Sequence, residues 1–383
     1  MTSEVRNGQV VRHEPIPLSV ITGFLGAGKT TLLNALLEDP ALSRAAVIIN
    51  EFGEIGLDHL LVESSSDGII EMSSGCLCCT IRGELVDTML DLIDRRDAGA
   101  IMAFDRLIIE TTGLADPAPV LHVIMTHPLL VSRFSLDGVV TVVDAVNGSA
   151  TLDAHEEAVK QAAVADRIVL TKTDMADAAT VASIRERLRR LNPAAPILDR
   201  AAGGADIGAL FGAGLYDPTT KTVDVARWLA AEAYADQPHD HHHDHGHDHG
   251  HHAHDVNRHG DNIRAYCITT PEPIGEMALS VFLDLLNAQY GANLLRMKGI
   301  INLAEAPERP LVIHAVQGVH HPPAQLRQWP AGERATRLVF ITRGVEKESI
   351  EKLLAAFTDR LTGSGASFTD KTLSLGSPGG LTR

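Results

Sequence analysis

The stretch GFLGAGKTT, from Gly23 to Thr31, has residue types and spacing that suit phosphate binding. It fits the pattern G-x-x-x-x-G-K-[ST], with an apolar run before it and a helical pattern after it. The glycines let backbone N–H groups turn inward, and the helix N-terminus adds partial positive charge. We predict a P-loop in which Lys29 contacts the outer phosphates and the Thr30 hydroxyl holds Mg²⁺. The nucleotide contacts predicted here are Gly23, Gly26, Ala27, Gly28, Lys29, Thr30 and Thr31.

A second nucleotide signal is the apolar run Leu107–Glu110, which ends in a carboxylate and is followed by Gly113. In P-loop enzymes an acid at this position lies across from the phosphate loop and contacts the Mg²⁺ shell, which is the role predicted for Glu110. The Gly113 amide would sense the γ-phosphate, so the loop around it is predicted to be a switch. The alternative is an ordinary strand end with a polar cap.

A third signal is TKTD, in which Thr171, Lys172 and Asp174 follow a short apolar strand. A carboxylate at Asp174 can accept the two N–H donors of a guanine edge, and adenine lacks that donor pair. The stem of Lys172 would pack along the base. This motif favours GTP over ATP.

The acidic loop NEFGE begins at Asn50, just after another predicted strand. A loop in this position faces the γ-phosphate in related architectures. Glu51 is therefore a candidate for orienting the attacking water or binding metal, with Glu54 and Asp58 as alternatives. A solvated acidic loop without a catalytic role is the other interpretation.

Three thiols crowd into GCLCC as Cys76, Cys78 and Cys79. Soft thiolates suit Zn²⁺ or Cu(I), and a closed zinc site normally needs four ligands. Because the remaining cysteine, Cys267, falls in a distant segment, the site is predicted to be incomplete, as suits a metal that is passed on. A redox pair or buried thiols are the alternatives.

Residues 239–259 form a histidine-rich, low-complexity tract with no apolar periodicity. Neutral imidazoles bind Zn, Co, Ni and Cu, so His241, His243 and His245 are candidates for a weak metal buffer. The alternative is a solvated linker. In either case the tract is predicted to be disordered and to separate two domains.

Short β-branched runs alternate with helical patterns from Pro17 onward, which predicts an α/β domain with a mostly parallel sheet. The predicted strands are Leu18–Thr22, Ala46–Asn50, Leu107–Glu110, Gly138–Val143 and Ala165–Thr171. The predicted helices are Thr31–Glu38, Glu84–Asp94, Pro119–Met125, Ala154–Ala163 and Ser183–Leu191.

After the tract, closely spaced strands predict a smaller α+β domain with a largely antiparallel sheet. Strands are predicted at Arg264–Thr270, Leu295–Leu303, Leu311–Gln317 and Arg337–Thr342. Ile274, Met277, Val281 and Leu285 fall at helical spacing, as do Ile350, Leu353, Leu354 and Phe357. The predicted organisation is a flexible tail (1–16), a P-loop domain (17–225), a linker (226–262), a C-terminal domain (263–363) and a second tail (364–383).

The 383 residues carry 33 Lys and Arg against 49 Asp and Glu, a formal charge of −16. Such an acidic surface argues against nucleic acid or an anionic membrane as the main partner. The first residues lack the apolar core of a secretory signal, and no apolar run is long enough to span a bilayer. These features predict a cytoplasmic protein.

In this order, GFLGAGKTT, NEFGEIG, GCLCC, ETTGLADP and TKTD resemble the CobW-type metallochaperone GTPases, which are related to the nickel-insertion GTPases of hydrogenase and urease maturation. The later segments LLRMKGIINL, VIHAVQGVHH and RLVFITRG resemble the C-terminal domain of that family. The resemblance implies that Cys76, Cys78 and Cys79 bind Zn²⁺ or Co²⁺ and that GTP hydrolysis is tied to metal delivery to a client metalloprotein. One departure is Ile49, because some members have a carboxylate there, and an accessory metal site at this position is therefore not implied.

The mechanism expected from these motifs is that GTP and Mg²⁺ order the loops near Glu51 and Glu110 and draw the thiols together. Hydrolysis would then release the metal. The alternatives are a passive metal store that uses the histidine tract, a GTPase that acts in cobalamin cobalt handling, and a P-loop kinase, which TKTD disfavours. A homodimer is one candidate assembly.

Overall fold

The computed structural model describes residues 3–6, 9–12, 14–52, 69–74, 80–212, 262–330 and 334–362. The cysteine segment at 75–79 and the histidine tract lie outside these residues. Part of the acidic loop also lies outside them, because residues 53–68 are not described.

The N-terminal part is built on a parallel sheet. Its strands are β3 Ile16–Gly23, β4 Ala45–Phe52, β5 Ile69–Ser74, β6 Arg106–Glu110, β7 Phe134–Asp144, β8 Arg167–Thr171 and β9 Ile197–Asp199. They pair in the order β5-β4-β6-β3-β7-β8-β9, and all of these pairings are parallel. Parallel pairing aligns the carboxyl ends of the strands at one edge, so β4, β5, β6 and β8 end at the same edge as β3, which leads into the P-loop.

Helices cover both faces of this sheet. They are α1 Lys29–Leu37, α2 Thr80–Asp97, α3 Ala118–Thr126, α4 Pro128–Arg133, α5 Gly148–Ala154, α6 Glu156–Val164, α7 Ala178–Leu191 and α8 Ile207–Leu210. Successive residues of β6 point to opposite faces. Leu107 and Ile109 pack in a core with residues of α2 and α3, whereas Ile108 packs in a second core with residues of α1. The predicted P-loop α/β fold is therefore confirmed.

Several elements differ from the sequence-based expectations. The edge strands β5 and β9 were not predicted, because β5 is apolar mainly at its first two residues and β9 has only three residues. Within the predicted N-terminal tail, β1 Ser3–Arg6 pairs with β2 Gln9–Arg12 as an antiparallel hairpin. The intervening Asn7-Gly8 pair is a strong hairpin signal that the sequence analysis overlooked.

The C-terminal part contains an antiparallel sheet with two helices. The strands are β10 Ile263–Thr270, β11 Leu294–Ile301, β12 Leu311–Val316, β13 Val319–His320, β14 Ala324–Gln325 and β15 Thr336–Arg343; the helices are α9 Glu276–Tyr290 and α10 Lys347–Thr362. The main strand order is β10-β15-β11-β12-β13, and β14 also pairs with β12. Phe282 of α9 and Phe340 of β15 are fully buried in the core between the helices and the sheet.

The buried face of α9 is not the one whose spacing predicted the helix. Met277, Val281 and Leu285 are exposed, and Ile274 is buried but precedes the helix. The buried residues of the helix are Leu279, Phe282 and Leu286. Because α9 carries apolar residues on more than one side, helical spacing alone does not decide which face is buried. The face that carries the large Phe282 ring is the buried one.

A buried charge cluster joins the two parts of the molecule. Asp166, just before β8, accepts hydrogen bonds at one oxygen from Arg296 at 2.7 Å and Lys298 at 2.5 Å, both on β11. Its other oxygen accepts from the Val139 N–H at 2.9 Å. These contacts, together with a core cluster that includes Ala163 and residues of three C-terminal strands, bind the antiparallel sheet to α6 and β8.

Candidate nucleotide site

The P-loop leaves β3 at Gly23 and enters α1 through Gly28. Gly23 has φ 144°, and a Cβ there would collide with the Val142 carbonyl oxygen of β7. Gly28 precedes α1 with φ 96°, a left-handed conformation that favours glycine. The first N–H groups of the helix have no acceptor within α1, so they are available to bind an anion.

The two residues predicted to hold magnesium lie in direct contact. The Thr30 hydroxyl at the start of α1 donates to Glu110 Oε1 at the end of β6, at 2.8 Å, although the two residues are 80 positions apart. Glu110 is only 2% exposed. Hydroxyl and carboxylate oxygens are the hard ligands that Mg²⁺ prefers, so this pair could hold the ion beside the phosphates. Lys29 is nearly buried next to them and donates to the Phe24 carbonyl at 3.5 Å.

The loop after Glu110 packs directly against the P-loop. A Cβ placed on Gly113 would lie 2.7 Å from Leu25 N and 2.8 Å from Leu25 Cα, so this contact requires glycine. Gly113 is therefore next to the phosphate loop, where the sequence placed a sensor of the γ-phosphate.

Two contacts of this loop were missed by the sequence analysis. Gln161 on α6 donates from its side-chain amide to the loop, and Asp116 accepts from Gln317 of the C-terminal part at 2.9 Å. The sequence signal for Gln161 is weak: a single glutamine between Lys160 and two alanines at the end of a predicted helix.

The TKTD motif connects to the P-loop through its first residue. Thr171 donates to the Ala27 carbonyl at 2.7 Å, across 144 residues of sequence. Lys172 has φ 58°, which is unusual for a residue with a side chain, and its ammonium contacts Asp144 at 2.6 Å. Burial opposes ionisation of Asp144, but hydrogen bonds from Lys172, Asn147 and the Val146 N–H outweigh it and lower the pKa of this carboxyl.

Asp174, the predicted base-reading residue, is exposed. It lines an open cleft of about 580 Å³ between the end of β8 and α7. Next to it, Thr173 donates to Asp199 at 2.7 Å, and Arg185 contacts the other Asp199 oxygen at 2.6 Å. These bonds fix the backbone around Asp174 and leave its carboxylate exposed.

A second cavity, of about 210 Å³, lies against the P-loop. Its walls come from Phe24–Ala27, the end of β7, the helices α5 and α6, and Lys172. Phe24 at this cavity stacks on His155, with ring centroids 4.3 Å apart.

Of the acidic-loop candidates and the three thiols, only the backbone of Glu51 is described. It lies in β4, where Ile49 pairs with Glu110 of β6 and Phe52 pairs with Ser74 at the end of β5. Ile49, the departure noted above, is buried in the core. The side chain of Glu51, the candidates Glu54 and Asp58, and the thiols of Cys76, Cys78 and Cys79 lie outside the described residues.

His241, His243 and His245 likewise fall outside the described part of the chain. Among the residues that the structure describes, no group of three or more His, Cys, Asp and Glu side chains could hold a metal ion. Cys267 is buried in the C-terminal part, and burial raises the pKa of its thiol.

Together the fold and the site define a P-loop GTPase. Residues 17–199 match the family "CobW/HypB/UreG, nucleotide-binding domain", and residues 263–358 match the "Cobalamin synthesis protein cobW C-terminal domain". The chain belongs to the CobW family. No helix in the described ranges combines the length and apolar character needed to cross a bilayer.

Named relatives agree with this assignment. The chain is 32% identical over 356 residues to the zinc chaperone CobW of a Sinorhizobium species, which covers 85% of this chain and 92% of that protein. It is 45% identical over 197 residues to the zinc chaperone YjiA of Escherichia coli K12, a match that spans 51% of this chain and 61% of YjiA. The crystal structure of Zn(II)-bound YjiA GTPase superposes with a TM-score of 0.63 at 29% identity, covering 90% of this chain and 99% of that one.

Proposed function

We propose that this protein is a GTP-hydrolysing metallochaperone that holds Zn²⁺ through Cys76, Cys78 and Cys79 and delivers it to a client metalloprotein. The observation that carries the nucleotide half is the 2.8 Å contact between Thr30 and Glu110, which assembles hard ligands for Mg²⁺ beside the P-loop. The exposed carboxylate of Asp174 supports guanine as the base. The zinc half is supported by the names of the relatives and by the chemistry of three adjacent thiols.

The order of the sheet supports coupling between the two halves. Strand β6 ends in Glu110, its neighbour β4 carries Glu51, and β5, which leads into the cysteine segment, pairs with β4. Two strand pairings, β6 with β4 and β4 with β5, therefore connect Glu110 to the strand that precedes the cysteine segment. In the proposal, bound GTP draws the segments after β4 and β6 towards the γ-phosphate and raises zinc affinity, and hydrolysis lowers it. Linkage requires that zinc strengthens GTP binding by the same factor.

The test is a zinc titration of the full chain against a chromophoric chelator, with Mg²⁺ and either a non-hydrolysable GTP analogue or GDP. We expect at least about tenfold tighter zinc binding with the analogue, which corresponds to about 1.4 kcal/mol of coupling. The triple variant Cys76→Ser, Cys78→Ser and Cys79→Ser should lose this difference.

A matched control is Cys267→Ser, which removes a buried thiol distant in sequence from the three others and should keep the difference. Zinc that remains bound to the triple variant measures other ligands, including the histidine tract. Equal zinc affinity with analogue and GDP in the unmodified protein would refute coupled delivery and favour a passive store.

A further inference from the structure

Gln161 lies within α6 and is 1% exposed. Its side-chain nitrogen donates to the Gly113 carbonyl at 3.2 Å and to the Ala115 carbonyl at 2.9 Å. An amide nitrogen has two hydrogens, so both donors of this side chain are used by one loop. The main-chain carbonyl of Gln161 accepts from the Thr141 hydroxyl at 2.6 Å, which fixes this turn of α6 to β7.

The loop held by Gln161 is anchored at its other end to the strand that precedes the P-loop. The Thr111 N–H donates to the Ile21 carbonyl at 2.9 Å, and the Thr111 hydroxyl contacts that of Thr22 at 2.8 Å. Between the two anchors, Gly113 lies against the backbone of Leu25. The position of Gly113 next to the P-loop is therefore set by β3 on one side and by Gln161 on the other.

The surroundings of Gln161 make its amide costly unless it is bonded. Ala158, Val159 and Ala162 of the same helix are buried beside it. Transfer of an amide into an apolar site without hydrogen bonds is unfavourable, and the two loop carbonyls would also lose their donor if an apolar residue replaced it.

We propose that Gln161 is a positioning residue for GTP hydrolysis, one that holds the loop at Gly113–Ala115 so that the Gly113 N–H can meet the γ-phosphate. It acts through the loop and does not touch the nucleotide. The proposal rests on GTP as the substrate of the P-loop. Gln161 should therefore help the protein to discriminate GTP from GDP. It contributes to binding of GTP, whose γ-phosphate reaches the loop, and contributes little to binding of GDP.

The test compares Gln161→Glu with Gln161→Met in the full chain, with Gln289→Glu as a matched control on the exposed side of α9. At pH 8 a carboxylate at position 161 faces two carbonyl oxygens and repels them. We expect kcat/KM for GTP and the affinity for a GTP analogue to fall about tenfold or more in Gln161→Glu, with GDP affinity changed less than about threefold. Gln161→Met removes the donors without adding charge, so its loss should be smaller, and Gln289→Glu should match the unmodified protein.

A pH profile separates positioning from simple packing. Burial raises the pKa of the introduced carboxyl, and its protonated form can donate to one of the loop carbonyls. Relative to the unmodified protein at each pH, Gln161→Glu should recover activity as the pH falls from 8.5 to 6, whereas Gln161→Met should show a constant ratio. The other titratable groups around the loop are common to all variants and cancel in this ratio: Lys29, Glu110, Asp116, Asp144, His155, Lys160 and Lys172.

Unchanged kcat/KM in both Gln161 variants would overturn the proposal, and so would equal losses in both with no pH dependence. Circular dichroism of each variant checks that it is folded. If the unmodified protein hydrolysed no GTP, the proposed function would fail, but the ratio of analogue to GDP affinity would still test Gln161. An unaltered ratio in Gln161→Glu refutes its role.

Discussion

Replacing Asp166 by asparagine leaves two buried cations without the carboxylate that they share. Arg296 and Lys298 both contact Asp166 Oδ1, and the side chains of Asp166 and Arg296 are no more than 6% exposed. Asparagine keeps the size of the side chain and an acceptor for the Val139 N–H, so the substitution measures the effect of removing the negative charge alone. Removing one partner of a buried ion pair typically costs about 3–5 kcal/mol, a large share of the total stability of a protein.

Asp153 supplies a matched control. Its ion pair with Arg187 has the same length, 2.7 Å, but the two side chains are 54% and 31% exposed. Exposed pairs contribute about 0.2–1 kcal/mol, so Asp153→Asn should change stability by that amount or less. The comparison therefore sets a buried and an exposed Arg–Asp pair of equal length side by side, with Lys298 as a second partner at the buried site.

The assay is urea denaturation at pH 7, followed by circular dichroism. For Asp166→Asn we expect a midpoint lowered by the equivalent of about 3–5 kcal/mol, or a transition split in two because the cluster joins the two domains. Burial lowers the pKa of Lys298, so the folded state binds fewer protons at Lys298 than the unfolded state does. Loss of the Asp166 charge should lower this pKa further. The loss of stability in Asp166→Asn should therefore become smaller as the pH rises towards 10 and Lys298 loses its charge. Equal, small shifts in Asp166→Asn and Asp153→Asn would refute this reasoning.

Two further predictions concern the C-terminal domain and the loop that contains Gly113. Burial and neighbouring cations hold the pKa of His314 well below 6.5, so the free energy of unfolding should fall as the pH drops from 7 to 5, by up to about 1.4 kcal/mol per pH unit from this residue. The free energy of unfolding, measured by urea denaturation at several pH values in this range, should depend less steeply on pH in His314→Asn. An unchanged pH dependence would contradict the role given to His314. Gly113→Ala should weaken binding of a GTP analogue by about 1–3 kcal/mol because its Cβ collides with Leu25, as measured by calorimetry. Gly83→Ala, which meets no atom within 4 Å in α2, should bind the analogue normally; equal binding by both variants would show that the Gly113 contact is unimportant.

The positions of the candidate nucleotide residues were largely predictable because each group of them is a short contiguous motif. The P-loop, the carboxylate after β6 and TKTD each follow a strand, and parallel strands bring their carboxyl ends to one edge. The contact between Thr30 and Glu110 follows from that geometry.

The residues that support the site were not predictable in the same way. Gln161 meets the loop across 48 residues and Gln317 meets Asp116 across 201 residues, and neither contact belongs to a local pattern. The hydroxyl of Thr171 donates to the Ala27 carbonyl, which gives TKTD a structural role in addition to the base recognition proposed for Asp174. Such contacts depend on how helices pack on the sheet, which residue spacing does not specify.

Errors in the fold have a similar origin. The helix α9 was recognised from its spacing, but the face that is buried depends on where the antiparallel sheet lies. The edge strand β5 is stabilised by pairing with β4, which is a tertiary contact, and its own sequence alternates weakly.

Under the proposed function, the strands next to the phosphates of GTP and the strand next to its base lie in different parts of the parallel sheet. Neighbouring strands lie about 4.8 Å apart, so β5 is about 14 Å from the P-loop strand β3 and about 24 Å from β8, which precedes Asp174. Under the proposed function, the triphosphate end governs the thiols and the base end only selects which nucleotide enters. Mutations around Asp174 could therefore exchange guanine for another base over evolutionary time while metal release stayed under phosphate control.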